Sequence, residues 1–216
     1  MSNPIHRLAL LVVLGLTAAV STAAEPVRFE PSRHSQAVTA CDRAAAHGDD
    51  PFRVAPGRER VDMDLPRAIA TCEVDLKLDP GNPRLQYQLG RALTYSGRVK
   101  EGLPLLEQSA AAGYPQSQFV AGILYLRGDY DAPRNPCRGG ELIRDSAISG
   151  RFAGQVGFPA WVLEGRFKDC PVRQDTAEMI GFLEAAKAAK LDFYRGLLVD
   201  VLLRELRTSV AAPSAK

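Results

Sequence analysis

The residues of this chain best suited to covalent chemistry are four cysteines, Cys41, Cys72, Cys137 and Cys170. Four thiols permit three disulfide pairings. They could instead hold zinc, but no Cys-x-x-Cys pair is present, and His34 and His47 are the only histidines beyond residue 24. Neither a metal site nor a redox-active dithiol is therefore expected. The chain has no Gly-x-Ser-x-Gly elbow, no Walker loop, no Gly-x-Gly-x-x-Gly turn and no His-Glu-x-x-His pair. Gly139 and Gly140 beside Arg138 read as a turn entering a helix rather than a phosphate cradle. Asp129, Asp131 and Asp145 lack the alternation of a calcium loop. The expectation is no catalytic residue, no cofactor and no enzymatic activity.

Charge and composition limit the partners. The 216 residues are 46% hydrophobic and 24% charged, with a net charge of +2. Such a chain can bury a core, and it lacks the dense basic face that nucleic acid requires. Residues 1–24 read as a signal peptide. Arg7 precedes an apolar run from Leu8 to Val20, and small residues follow, so cleavage is expected after Ala23 or Ala24. The run is short for a membrane span. The mature protein is thus expected to be periplasmic or secreted, with no membrane insertion after cleavage, in a compartment where disulfides persist.

Turn residues punctuate the rest of the chain. Gly113 to Gly128 is 15 residues, and so is Gly150 to Gly165. Small-residue runs end at Gly113, Gly150 and Lys190, giving periods of 37 and 40 residues. Helix-length apolar patterns fill the intervals: Leu85, Leu89, Ala92 and Leu93 share one face, and Leu103, Leu106 and Ala110 another. Repeats of this length stack into solenoids. Residues 25–34 read as a linker. Ser35–His47 reads as a helix with Ala37, Val38 and Cys41 on its apolar side, and Asp64–Leu78 as a second, with Asp64 as cap and Pro66 in the first turn. Pro159 is expected to kink or split its helix. Residues 192–207 read as a capping helix that buries Tyr194, Leu197, Leu198, Val201 and Leu202, and residues 208–216 as a frayed tail. In this layout Cys41 and Cys72 fall on one hairpin, and Cys137 and Cys170 on connecting segments of successive units. The layout favours Cys41–Cys72 and Cys137–Cys170, although spacing alone does not select among the three pairings.

Leu89-Gly90, Leu93, Gly97, Gly102, Leu106 and Ser109 resemble a tetratricopeptide repeat, and Gly122, Tyr125 and Gly128 resemble the Gly-x-x-Tyr-x-x-Gly element of Sel-one-like repeats. The third unit departs from that pattern, with Pro159 in place of Gly122 and Val162 in place of Tyr125. The resemblance covers residues 35–191. It implies an all-α fold, a right-handed α-solenoid of about four helix-turn-helix repeats with a C-terminal capping helix. It also implies a concave face lined by the first helix of each unit. Carried onto this sequence, that face comprises Arg84, Tyr87, Arg91, Thr94 and Tyr95, then Gln116, Phe119 and Arg127, then Trp161. Tyr125 falls on a packing position. The implied role is a protein–protein interaction scaffold, adaptor or regulator with a protein or peptide partner. A structural accessory subunit of a cell-envelope complex and, further off, a hydrolase on a helical scaffold are the alternatives.

Overall fold

A computed structural model describes residues 26–211. The expected signal peptide and its cleavage site lie outside the described residues. Within them the chain is all-α, with no strand, and its helices pack consecutively in the manner of a solenoid. They are α1 (Ala40–Ala45), α2 (Leu65–Leu78), α3 (Pro83–Tyr95), α4 (Val99–Ala111), α5 (Pro115–Arg127), α6 (Pro136–Ile148), α7 (Phe152–Leu163), α8 (Thr176–Lys187) and α9 (Phe193–Ala211).

Local chemistry explains where these helices begin and end. Asp64, Asn82, Asn135 and Asp175 each accept a backbone N–H of the first turn they precede. Proline opens α3, α5 and α6, where its missing N–H costs nothing. The turns after α4 and α6 are twins. Gly113 and Gly150 have φ of 82° and 81°, and the next residue's N–H returns to Ser109 O at 3.1 Å or to Ser146 O at 3.1 Å. A side chain at either glycine would strain that left-handed turn.

The two middle hairpins share a deeper likeness. Gly90 of α3 faces Gly102 of α4, and Gly122 of α5 faces Gly139 of α6. A Cβ at Gly102 would stand 2.6 Å from Gly90 O, and one at Gly139 would stand 2.8 Å from Gly122 O. One hydrogen bond is repeated as well. The Ser109 hydroxyl donates to Pro83 O at 2.7 Å, and the Ser146 hydroxyl to Pro115 O at 2.9 Å. Gly139 and Gly140 are therefore packing glycines inside α6, with Gly140 against the Phe167 ring.

Several expectations need correction. The first helix is six residues long, not Ser35–His47. Thr39 and Asp42 form a capping box that starts it late, and Ala37 and Val38 are exposed on extended chain. The supposed linker is packed: Phe29 is buried against Phe52 and Tyr114. Helix α7 runs unbroken through Pro159. Tyr125 is half-buried, and its hydroxyl donates to Glu107 at 2.8 Å. The last helix extends to Ala211, past the expected start of a tail at residue 208. It buries Val199, Leu202, Leu203 and Leu206, and leaves Tyr194, Leu197, Leu198 and Val201 exposed. Both of its faces are apolar, so periodicity alone did not say which turns inward.

The structure brings Cys41 to Cys72 and Cys137 to Cys170 as disulfides, with Cα–Cα distances of 4.4 and 5.0 Å. Cys137 lies in the first turn of α6 rather than in a connecting segment. Two disulfides fit a chain that matures in an oxidising compartment.

Candidate functional site

The first helices α3, α5 and α7 share one face, and side chains link them across it. Tyr87 of α3 meets Gln116 of α5, which meets Arg151 at the start of α7. This is the face expected to form an open groove. Much of it is already filled by the chain itself.

Arg84, Tyr87, Arg91 and Thr94 are buried, not directed to solvent. Residues 27–60 lie over them. The Arg84 guanidinium donates to Asp42 Oδ1 at 2.8 Å, to Ser35 O at 2.9 Å and to Ala37 O at 3.3 Å. Asp42 is fully buried and also accepts from Gln88 Nε2 at 2.9 Å and Thr39 N at 2.9 Å. Arg91 donates to the carbonyls of Ala45 and Ala46 at 3.0 Å and of Arg58 at 2.7 Å, and its Nε is buried without a partner among the described residues. Tyr95 is half-buried beneath the guanidiniums of Arg60 and Arg91, 5.4 and 5.1 Å from its ring centroid. Thr94 donates to Gly90 O within its own helix at 2.8 Å. The physical reason is solvation: buried guanidiniums need many acceptors, and the carbonyls of an irregular segment supply them.

The cover continues to the start of α5. Tyr114 packs on Phe29 and donates to Asp50 Oδ2 at 2.7 Å. Burial pushes the Asp50 carboxyl upward, against the opposing pull of that hydroxyl and of the Phe52 N–H. Burial also raises the Tyr87 and Tyr114 phenols, so both stay neutral, Tyr114 as donor to Asp50 and Tyr87 as acceptor from Gln116. His47 is lowered by burial and by the nearby charges of Arg91 and Arg151.

Beyond Tyr114 the face opens. Gln116 is buried, but as a connector: its amide donates to the Tyr87 hydroxyl at 3.2 Å and accepts from Arg151 Nε. Arg151 is 5% exposed, and its guanidinium lies over Phe119, 4.4 Å from the ring centroid. Its two terminal nitrogens have no hydrogen-bond partner among the described residues and keep contact with solvent. Burial lowers the Arg151 pKa without any carboxylate bonded to it. Phe119 stacks on Trp161 at 6.4 Å, and both are half-buried. Trp161 and the exposed Arg127 line a cavity of about 500 Å³ together with Arg134, Arg166, Asp129 and Glu164.

Of the nine expected positions, Arg84, Tyr87, Arg91, Thr94 and Gln116 are thus internal, Tyr95 lies at the margin, and Phe119, Trp161 and Arg127 make an open strip. Arg151 was missed. Its signal was its register: it follows Gly150 as Tyr114 follows Gly113, and both turn onto this face.

The fold and its face define an all-α, solenoid-like repeat protein with two disulfides. No family model, curated protein or solved structure matches the chain.

Proposed function

We propose that this chain is an exported, periplasmic repeat protein of the Sel-one-like or tetratricopeptide type, acting as an interaction scaffold, adaptor or regulator. Its partner, a protein or peptide, seats on the open strip of α5 and α7. The observation that carries this reading is Arg151. Its guanidinium lies over Phe119 with terminal N–H groups that reach solvent and hold no anion, so they are free to donate to an acceptor on a partner, while Phe119 and Trp161 offer apolar surface beside it. Tryptophan and arginine at such positions are common binding anchors.

A photo-crosslinking residue in place of exposed Glu164, which lines the cavity with Trp161, tests this in the native host. Specific adducts are expected, and Arg151→Gln or Trp161→Ala should reduce their yield at least about tenfold without loss of the folded protein. Equal yields from all three proteins would sink the reading. They would favour instead a structural accessory subunit with no groove ligand, which the self-covered face of α3 also supports.

A further inference from the structure

The chain supplies its own example of what this face binds. The first helices α3, α5 and α7 each carry a donor side chain at their start: Arg84, Tyr114 and Arg151. The irregular segment that covers the face gives a carboxylate to the first two. Asp42 accepts from Arg84 at 2.8 Å, and Asp50, further along, accepts from Tyr114 at 2.7 Å. Then the segment turns back. The Arg58 N–H donates to Ala46 O at 2.8 Å, and Arg58 O accepts from Arg91. The cover therefore stops at the second position of the row. Among the described residues, no acid bonds to Arg151.

Asp49 and Asp50, the acids of the segment whose charge reaches Arg151, are engaged elsewhere. Asp50 holds Tyr114 and the Phe52 N–H, and Asp49 pairs with Arg195 at 3.4 Å. Arg151 is itself held in place. Its Nε is bonded to Gln116, and its guanidinium lies over Phe119. What remains is the pair of terminal nitrogens, set in orientation and open to solvent. A guanidinium so held presents a fork that matches both oxygens of one carboxylate, whereas a peptide carbonyl offers a single oxygen. Arg195, over the neighbouring Phe152 ring, adds a second positive charge. Beyond Arg151 the strip continues to Phe119 and Trp161, whose ring centroids are 6.4 Å apart. One or two residues of extended chain span such a distance.

We propose that the partner seated on this strip is an acidic peptide segment. The side-chain carboxylate of an internal aspartate or glutamate accepts from the Arg151 fork, and an apolar residue one or two positions away packs on Phe119 and Trp161. This rests on the reading of α5 and α7 as a binding strip. The partner's acid completes a row that the chain begins with its own Asp42 and Asp50.

Trp161 is the single tryptophan of the chain, so its fluorescence reports on the strip. The probes are three short synthetic peptides without tryptophan or tyrosine. The first is capped at both ends and carries one aspartate two residues before a leucine. The second has asparagine in place of that aspartate, and the third is the second with a free C-terminal carboxylate. They are titrated at constant ionic strength into the protein purified as exported. The first should bind with a dissociation constant of about 1 mM, and the others at least about tenfold more weakly. This comparison needs no variant. Arg151→Gln should erase the preference for aspartate, and Arg151→Lys, which keeps the charge and loses the fork, should retain only part of it. Aspartate and asparagine peptides bound alike, or no peptide bound up to about 20 mM, would overturn the inference. So would a third peptide bound as tightly as the first, which would mark a chain terminus as the ligand. In each of these cases, adducts from the Glu164 position that still depend on Trp161 leave the binding strip standing. Adducts indifferent to both Trp161 and Arg151 remove the strip and the inference together.

Discussion

Three aspartates show how neighbours decide the fate of one side chain. Asp42 is fully buried yet holds Arg84, Gln88 and the Thr39 backbone. Asp50 is also buried, and takes Tyr114 and the Phe52 N–H. Asp145 of α6 has no side-chain hydrogen-bond partner among the described residues, because Arg144 beside it is bonded to Glu178 at 2.6 and 2.8 Å. Burial lifts the Asp145 carboxyl to about 6, against the pull of Arg144 and Arg138. Its folded value lies above its unfolded one. The native state therefore holds the extra proton between about pH 4 and 6, and stability falls as pH rises through that window. Asp145→Asn should stabilise the protein by about 1 kcal/mol at pH 7.5, a figure discounted for partial exposure, and should be neutral at pH 3.5. Urea unfolding at both pH values measures this. An equal effect at each would mean that Asp145 ionisation is not the cause.

Between elements, the decisive distances are those of glycine against backbone. At Gly139 a Cβ would meet Gly122 O at 2.8 Å and Leu126 N at 2.9 Å, and neither atom can rotate away. At Gly181 in α8 it would meet nothing within 4 Å. Gly139→Ala should thus cost about 2–3 kcal/mol by overpacking α5 on α6. Gly181→Ala should gain about 0.5–1 kcal/mol through helix propensity. Denaturant midpoints of the two variants read out the opposite signs. Similar values for both would mean that the hairpin tolerates separation.

The hairpins were legible because their punctuation is local: Pro83, Pro115 and Pro136 start helices, and Gly113 and Gly150 end turns. The cover over α3 was not legible. Its partners lie far apart in sequence, as Arg84 and Asp42 do at a separation of 42, and no period marks such a contact. Charged residues are also ordinarily exposed, so Arg84 and Arg91 read as groove residues when they are internal anchors. Where the sequence repeats a position, as Arg151 repeats Tyr114, inference by register would have found the site.

For the molecule as a whole, the segment before α2 ties the first units together. Arg84–Asp42 holds its middle and Asp50–Tyr114 the stretch after α1. Asp42→Ala leaves Arg84 buried without its anion, which should cost about 3–5 kcal/mol. Amide exchange should then rise across residues 27–60 and along α3 together. A rise confined to α1 would mean that the segment is not held as a unit.

That segment also sets an order of events. A chain is made from its N-terminus, and repeat arrays ordinarily settle neighbour by neighbour in the order in which they are delivered. Here Asp50 must wait for Tyr114, 64 residues later, and Asp49 for Arg195, 146 residues later. The stretch around them has little regular structure with which to settle alone. Among the described residues, the earliest synthesised are therefore among the last to come to rest.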